Sequence, residues 1–264
     1  MNLNGRFGVI GNPIKHSLSP QIHQQFAAQF NASIDYHQYL VETDELKNFI
    51  REFFQRQGLG LNVTLPFKQS VSECVDKLSE EARLAGSVNT LSLHGDQIIG
   101  TTTDGQGLLY DLNRLGWRVK DRTILVVGAG GASQSILVSL LHAGAKVKIF
   151  NRTAAKAESL VEKFSTLGVI ELYQPGNAFD GLISSTSEFN LPLMSPLAEQ
   201  INQRVFCYDL NYGERAQGFK DFARHNGCRQ ISDGLGMLVG QAAKSFEIWT
   251  GKLPQIEPIT IAAS

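Results

Sequence analysis

The sequence predicts an α/β fold in two domains, and three observations lead to that expectation. Segments with strand character alternate with segments of helical periodicity, which is typical of mainly parallel sheets covered by helices on both faces. A glycine-rich turn at 128–131 joins a short apolar run to a helix-like segment, and this arrangement makes the second domain Rossmann-like. The chain of 264 residues is also longer than a usual single domain.

Short apolar runs bounded by turn residues predict the strands of the first hundred residues. Gly11-Asn12-Pro13 ends the first run, and Pro66 stops the third. The last two runs flank His94-Gly95-Asp96 and predict a β-hairpin. The predicted strands are 6–10, 36–41, 59–65, 87–93 and 97–102.

Two helices are predicted between these strands. Ser19-Pro20 indicates an N-cap followed by proline at the first helical position. Ile22 and Phe26 then recur at helical spacing and predict a buried face. Thr43 predicts the cap of the second helix, and Gly58 predicts its end.

The alternation continues in the rest of the chain. A connecting helix is predicted at 104–115 and a final helix at 235–249, while Gly144 and Gly227 predict the ends of two helices between them. The predicted strands of this part are 123–127, 146–150, 180–184, 205–210 and 229–232.

Composition and charge exclude several classes of protein. Hydrophobic residues make up 42% of the chain and charged residues 19%, as expected of a globular protein with a full core. The net charge of −1 gives no electrostatic reason to expect nucleic acid or an anionic membrane as a partner. No apolar run approaches the length of a membrane span, and the N-terminal residues 1–6 lack the pattern of a signal peptide.

The cysteines and histidines predict neither a disulfide framework nor a metal site. The three cysteines, Cys74, Cys207 and Cys228, are widely spaced and form no CxxC pair. This spacing predicts reduced thiols in a cytoplasmic protein. None of the six histidines stands beside another ligand at metal spacing, so we expect no bound metal.

The glycine-rich turn predicts a dinucleotide site. Its first glycine, Gly128, permits a tight turn, and Gly130 lets the backbone approach a pyrophosphate. The following helix start offers free N–H groups to the phosphates. Ser133 stands where the usual fingerprint has its third glycine.

The residues after the next predicted strand favour NADP over NAD. An NAD site usually has Asp or Glu there to bind the ribose hydroxyls, but no acidic residue occurs between Leu125 and Ala157. Arg152 and Lys156 instead supply cations suited to a 2′-phosphate. The alternative is that Thr153 caps a helix and Arg152 is a solvated loop cation.

Polar clusters in the first domain fall near the ends of predicted strands, where open α/β sheets bind ligands. They supply hydroxyls, amides, one cation and one carboxylate, a set suited to a small polyhydroxylated acid. Structural roles remain open for several members: Ser19 as a helix cap, Lys68 as a solvated lysine and Asp104 as a helix cap. The clusters are Ser17-Leu18-Ser19, Asn62-Val63-Thr64, Lys68, Asn89-Thr90 and Thr103-Asp104-Gly105.

Taken together, the ordered motifs resemble the shikimate dehydrogenase family over essentially the whole chain. Seven motifs occur in the family's order and at its spacing, which is far more specific than any one of them. They are Gly11-Asn12-Pro13-Ile14 with His16-Ser17-Leu18-Ser19-Pro20, Asn62-Val63-Thr64-Leu65-Pro66-Phe67-Lys68, Ala85-Gly86-Ser87-Val88-Asn89-Thr90, Thr103-Asp104-Gly105, Gly128-Ala129-Gly130-Gly131-Ala132, Asn151-Arg152-Thr153, and Asp233-Gly234-Leu235-Gly236-Met237-Leu238 with Gln241-Ala242.

The resemblance implies reversible, NADP-dependent reduction of 3-dehydroshikimate to shikimate, a step of aromatic amino-acid biosynthesis. It implies Lys68 and Asp104 as the catalytic pair, and Ser17 and Ser19 as the residues that hold the substrate carboxylate. Further substrate contacts are implied for Asn62, Thr64, Lys68, Asn89, Asp104, Tyr212 and Gln241.

The resemblance also implies the division of the chain. Residues 1–103 form the substrate-binding catalytic domain, 104–236 the NADP-binding Rossmann-like domain, and 237–264 a C-terminal helix that returns to the substrate domain. We expect a monomer or a homodimer. The implied cofactor contacts are Gly128, Ala129, Gly130, Gly131, Ala132, Asn151, Arg152, Thr153, Lys156, Leu210, Gly234 and Met237.

Three stretches depart from the family pattern. Thr102 replaces the Asn that usually precedes Thr-Asp-Gly, and Ser184-Ser185-Thr186 replaces the usual Asn-Ala-Thr. The stretch 208–216 lacks the Pro and Thr of the family's Tyr-Asp-Leu-x-Tyr-x-Pro-x-x-Thr. None of these changes affects Lys68 or Asp104.

Three alternative functions remain open at this point. A relative acting on quinate or another cyclic hydroxy acid would share the same motifs. A non-catalytic NADPH-binding sensor would be expected to lack catalytic groups, whereas Lys68 and Asp104 are both present. A two-domain methylene-folate dehydrogenase would not explain the paired serines.

Overall fold

Residues 5–257 and 259 are described by the computed structural model. They group into two compact units, one formed by the described residues up to 107 and from 239 onward, and the other by residues 108–238. The expectation for the N-terminal residues 1–4 and the end of the predicted segment 237–264 lie outside the described residues. The functional division into domains stays a prediction.

The first unit alternates strands and helices, as expected. A short 3₁₀ helix, Ser70–Cys74, lies between its third and fourth strands. Its elements are β1 (Arg6–Gly11), α1 (Ser19–Ala28), β2 (Asp35–Leu40), α2 (Leu46–Gln55), β3 (Gly58–Val63), β4 (Lys77–Leu78), α3 (Glu80–Ala85), β5 (Thr90–His94), β6 (Gln97–Thr101) and the start of α4 (Asp104–Arg114).

The six strands of this unit form one sheet in the order β2-β1-β3-β5-β6-β4. Strand β1 pairs in parallel with β2 and β3, and β4 pairs in parallel with β6. The predicted hairpin β5–β6 is confirmed, and β5 also pairs antiparallel with β3. Because β1 and β3 are parallel, the residues that follow them lie at the same edge of the sheet.

The sheet packs against apolar side chains from both of the chain segments that make up the unit. Helix α2 places Ile50 and Phe53 in a core with Leu61 and Leu91 of the strands. The last turns of the final helix contribute Trp249, whose Nε1 donates to Leu91 O at 2.9 Å. Burial of such side chains stabilises the unit by about 1.5–3 kcal/mol each.

Three predicted helix boundaries were wrong. Ser19 is the first residue of α1 and not its cap; Leu18 holds the cap position and makes no side-chain capping bond. Thr43 lies in a turn before α2, whose cap position is occupied by Glu45. Gly58 begins β3, and the left-handed residue after α2 is Gln57, with φ of 64°.

The second unit has the strand order of a doubly wound Rossmann fold. All its strand pairings are parallel, in the order β12-β11-β10-β7-β8-β9. The order reverses between β7 and β10, so a ligand site is expected beyond the carboxyl ends of these two strands. The elements are β7 (Thr123–Val127), α5 (Gly131–His142), β8 (Lys146–Phe150), α6 (Ala154–Phe164), β9 (Ile170–Leu172), β10 (Gly181–Ser184), α7 (Leu191–Met194), β11 (Phe206–Asp209), α8 (Gln217–His225), β12 (Gln230–Ser232) and the start of α9 (Leu235–Thr250).

The short strands β4 and β9 were not predicted, because two or three residues carry no usable alternation. The three cysteines are buried and free. None of the described helices combines the length and apolar character that crossing a bilayer requires.

Candidate active site

A lysine–aspartate pair lies at the carboxyl-terminal edge of the first sheet. Lys68 Nζ donates to Asp104 Oδ2 at 2.7 Å. Asp104 is the first residue of α4 and is 3% exposed, and a carboxylate is favoured at a helix N-terminus. The Lys68 side chain keeps 16% of its surface exposed. Since an ammonium has three donors, Lys68 can bind a ligand while it holds Asp104.

Asn89 fixes the other oxygen of the same carboxylate. Its Nδ2 lies 2.9 Å from Asp104 Oδ1 and 2.9 Å from Gln241 Oε1. Its Oδ1 accepts from the Thr103 backbone N–H at 2.8 Å. The structure therefore brings four of the predicted residues, Lys68, Asn89, Asp104 and Gln241, into one hydrogen-bonded group.

The predicted hydroxyls lie at the same edge of the sheet. Ser17 Oγ donates to Ser19 Oγ at 3.2 Å, and the Ser19 N–H points to Ser17 Oγ at 3.3 Å. Thr64 follows β3 and is half-buried; its N–H donates to Ile10 O of β1 at 2.9 Å. Among the described residues, these three side chains are not hydrogen-bonded to Lys68 or Asp104.

Asn62 lies deeper than the sequence suggested. Its amide is buried and contacts His23, Tyr36 and Ser245 instead of facing an opening. Sequence reasoning missed these three partners, since none belongs to a polar motif. The one feature of the sequence that could have indicated a buried polar contact was His23, which stands within the apolar face of α1 next to Ile22.

In the second unit, the predicted glycine turn follows β7 at the reversal of the sheet order. Gly128 has φ of 118°, and a Cβ there would lie 2.6 Å from Ser185 Oγ, so a side chain does not fit. Gly130 is the cap residue of α5, and its N–H donates to Ser133 Oγ at 3.0 Å. Ser133, which replaces the usual third glycine, thus holds the turn, and it also contacts Ser185 Oγ at 2.5 Å.

A cavity of about 160 Å³ opens beside this turn. Arg152 and Lys156 are exposed in its wall, and neither forms an ion pair within the part of the chain that the structure describes. Thr153 precedes α6 without a side-chain capping bond, so the capping alternative has no support. Two unpaired cations favour an anionic ligand. The lining residues are Ala129, Gly130, Asn151, Arg152, Thr153 and Lys156.

A second group of predicted cofactor residues lies where the segments that follow β11 and β12 meet. A Cβ on Gly234 would lie 2.1 Å from Leu210 O, so the two backbones approach too closely for any other residue. The Gly234 N–H donates to Asn211 O at 2.8 Å. Met237 is buried, and its N–H donates to Tyr208 Oη at 3.3 Å. Tyr212 is half-buried; burial raises the pKa of its phenol, and Arg215 opposes that effect.

Two of the three stretches that depart from the family pattern, 184–186 and 208–216, are linked to each other. Asn211 Nδ2 donates to Thr186 O at 2.8 Å and to Asp209 Oδ1 at 3.0 Å. Burial raises the pKa of Asp209 to about 6, although the bonds from Asn211 act in the opposite direction. Thr102 is buried. The changed loops thus form their own polar network.

No three His, Cys, Asp or Glu side chains of the described residues are grouped as metal ligands would be. The expected absence of a metal stays a prediction.

Three family models match the chain. The shikimate dehydrogenase substrate binding domain matches residues 9–91, shikimate/quinate 5-dehydrogenase matches 112–211, and the shikimate 5′-dehydrogenase C-terminal domain matches 234–260. The chain is also 43% identical to the shikimate dehydrogenase (NADP(+)) of Shewanella halifaxensis, over 98% of this chain and 95% of that protein.

Solved structures agree with these matches. An Ael1 enzyme from Pseudomonas putida superimposes with a TM-score of 0.89 at 34% identity, covering 98% of this chain and 100% of that one. The shikimate 5-dehydrogenase of Thermus thermophilus, solved in complex with NADP(H) and shikimate, gives a TM-score of 0.85 at 32% identity, with 96% of each chain covered. The motifs, the fold and these matches agree, and the chain belongs to the shikimate dehydrogenase family.

Proposed function

We propose that this protein is an NADP-dependent shikimate dehydrogenase, which interconverts 3-dehydroshikimate and shikimate in aromatic amino-acid biosynthesis. Family membership supports the assignment. The observation that carries it is the group formed by Lys68, Asp104, Asn89 and Gln241, because a ketone reductase needs a proton donor held beside groups that bind hydroxyls. The division at 1–103, 104–236 and 237–264 is proposed to separate substrate and cofactor functions.

The residues of the second unit fit NADP. The open space at Gly130 and the N-terminus of α5 suit a pyrophosphate, and Arg152 and Lys156 suit a 2′-phosphate. Asn151 and Thr153 complete that wall, Gly131 and Ala132 begin the helix, and Leu210, Gly234 and Met237 form the second contact group. When bound, NADPH supplies the hydride.

The substrate is proposed to be held by its carboxylate and its ring hydroxyls. Ser17 and Ser19 offer two adjacent hydroxyl donors for the carboxylate. Gln241 and the pair Lys68–Asp104 offer donors and acceptors for the hydroxyls, and Asn89 lines the proposed pocket between Asp104 and Gln241. Thr64 and Tyr212 are proposed as further contacts.

Lys68 is proposed to handle the proton. Hydride addition to a ketone leaves negative charge on its oxygen, and a donor must lie within hydrogen-bond reach of that oxygen. The Lys68 ammonium can stabilise the developing charge and donate from Nζ. Asp104 holds Nζ at 2.7 Å and so orients the donor, while Asn89 keeps the carboxylate from turning.

Replacement of Lys68 tests this function. NADPH oxidation is followed by absorbance with 3-dehydroshikimate, and the reverse reaction with shikimate and with quinate. We expect wild-type turnover with 3-dehydroshikimate, and a loss of roughly 10²–10⁴-fold in kcat for Lys68→Ala, the usual range for general acid–base groups. Lys244→Ala, which removes a lysine paired with Glu247 at 2.9 Å, is the control and should keep wild-type kcat.

Three results would contradict the proposal. Full turnover of Lys68→Ala at saturating substrate would remove this lysine from the chemical step. A wild-type protein that binds NADPH and reduces nothing would favour the sensor alternative, and preference for quinate would favour the quinate-using relatives.

The remaining expectations are proposals of smaller scope. Three buried free thiols support a reducing compartment, and we place the protein in the cytoplasm. The net charge of −1 supports the absence of nucleic acid and of a membrane as partners. A monomer or a homodimer is the expected state in solution.

A further inference from the structure

Every hydrogen-bonding position of the Asn62 amide is occupied by protein. Its Oδ1 accepts from Tyr36 Oη at 2.8 Å and from His23 Nε2 at 3.2 Å. Its Nδ2 lies 3.0 Å from Ser245 Oγ and 3.3 Å from Thr90 Oγ1. An asparagine side chain offers two acceptor sites and two donors, so this buried amide has none left for a ligand.

The bonds continue from Asn62 to the catalytic pair. Asn62 Nδ2 also lies 3.1 Å from the backbone oxygen of Asn89. Thr90 Oγ1 donates to Asn89 Oδ1 at 2.9 Å, and Asn89 Nδ2 donates to Asp104 Oδ1 at 2.9 Å. Asn89 is therefore held at its side-chain oxygen by the Thr90 hydroxyl and at its nitrogen by the carboxylate. Thr103 N–H adds a second donor to the same side-chain oxygen at 2.8 Å.

With Ser245 Oγ donating to Thr90 Oγ1 at 2.7 Å, the single Thr90 proton is directed to Asn89, and all donors in this chain of bonds point the same way. Tyr36 and the Nε2–H of His23 donate to Asn62, Asn62 to Thr90, Thr90 to Asn89, and Asn89 to Asp104. An ionised carboxylate only accepts, so the chain ends at Asp104. Aligned bonds polarise one another and strengthen in a buried setting. The alignment also fixes which end of the Asn89 amide faces Asp104.

We propose that Asn62 and Thr90 are positioning residues, which set the orientation of the Asn89 amide and thereby of the Asp104 carboxylate that holds Lys68. This inference rests on the proposed function. It replaces the implied contact of Asn62 with substrate by an action through Asn89.

Thr90 allows a conservative test, because its methyl and its hydroxyl can be removed separately. Thr90→Val removes the donor and keeps the shape, whereas Thr90→Ser keeps the donor. We expect kcat/KM for 3-dehydroshikimate to fall about tenfold in Thr90→Val, as for one lost buried hydrogen bond, and to stay within about threefold of wild type in Thr90→Ser. The unfolding temperature of each variant is measured in parallel.

A double-mutant cycle tests whether the change in kcat/KM caused by each substitution depends on the Asn89 side chain. Asn62→Ala and Thr90→Val are each combined with Asn89→Ala. If both residues act through Asn89, each should lower kcat/KM by less than about twofold in the Asn89→Ala background. Tyr173→Phe removes a buried hydroxyl of the second unit and is the matched control, with unchanged kcat/KM in either background.

The outcomes separate the possible roles. Losses that multiply in the Asn89→Ala background, or a Thr90→Val enzyme equal to Thr90→Ser, overturn the inference. A rise in the shikimate KM alone in Asn62→Ala also overturns it and returns Asn62 to the role of ligand, and a lower unfolding temperature with unchanged kcat/KM leaves only a structural role. An inactive wild-type protein overturns the proposed function itself.

Discussion

At the scale of single residues, His23 links the first unit's stability to pH. Its ring is fully buried and stacks on Tyr36 with centroids 4.5 Å apart. Burial lowers the pKa of His23 to about 3, although its bond with Asn62 acts in the opposite direction. In the unfolded chain the pKa returns to about 6.5. The neutral histidine's contribution to stability is therefore fully present above pH 6.5 and is lost progressively as the pH falls toward 3.

We expect wild-type protein to lose about 1.3 kcal/mol more unfolding free energy between pH 7.0 and 5.5 than His23→Gln, since only the wild type binds this proton on unfolding. Urea titrations in a Trp117→Phe background measure it, because Trp249 is then the sole tryptophan and reports on the first unit. An equal pH dependence in the two proteins would assign the titration to other groups.

Arg152 governs the choice of cofactor in the proposed function. A charge-assisted bond to the 2′-phosphate contributes roughly 1.5–3 kcal/mol. Arg152→Ala should therefore raise the KM for NADPH about tenfold or more, while the KM for NADH changes little. Arg224→Ala, which removes an exposed arginine from an ion pair with Asp221 at 2.8 Å, is the control. Equal use of NADPH and NADH by the wild type would contradict a 2′-phosphate site at Arg152.

The sequence predicted which candidate site residues come together, but it did not predict the side chains that surround them. Lys68 and Asp104 were found through the family's motifs, and the structure joins them directly. The hydrogen bonds of Asn62 could be found only from the three-dimensional structure, because its partner Ser245 lies 183 positions away in the chain. No local pattern reports a side-chain contact over such a separation.

At the scale of elements, the loops after β11 and β12 depend on a close backbone approach. In Gly234→Ala the new Cβ would meet Leu210 O at 2.1 Å, a backbone atom that moves only with its loop. We expect a loss of about 1–3 kcal/mol in stability, the usual effect of overpacking, and a higher KM for NADPH because Leu210 shifts. Gly168→Ala is the control, since its nearest neighbour is the end of Leu141 at 3.3 Å.

Chemical denaturation and NADPH kinetics on the two alanine variants measure both effects. A Gly234→Ala protein with wild-type stability and NADPH KM would show that the loop accommodates the methyl group.

Element boundaries reveal where local signals fail. The position of Ser19 before Pro20 predicted a helix cap. The helix α1 already includes Ser19, and the Ser19 hydroxyl accepts a hydrogen bond from Ser17 Oγ. Thr43 to Glu45 form a separate turn, closed by the bond from Glu45 N to Glu42 O at 3.1 Å, and α2 starts only after it. In both cases an alternative local hydrogen bond competed with capping.

At the scale of the whole molecule, the sequence predicted two α/β units but not the order of their strands. Alternation of strands and helices does not say on which side of the first strand the next ones are added. The reversal between β7 and β10, which places Gly128 and Ser185 next to each other, therefore had to come from the structure. Each unit also has its own apolar core.

Because each unit has its own core and its own group of candidate binding residues, partial ligands should protect the two units separately. We expect 2′,5′-ADP, which carries the phosphates without nicotinamide, to slow amide exchange at 128–133 and 151–156. Shikimate should slow it at 17–20, 62–68 and 89–90. Hydrogen–deuterium exchange with mass spectrometry measures both, and in Arg152→Ala the protection by 2′,5′-ADP should fall while that by shikimate persists. Protection of 128–133 by shikimate alone, with 62–68 unchanged, would reverse the assignment of ligands to units.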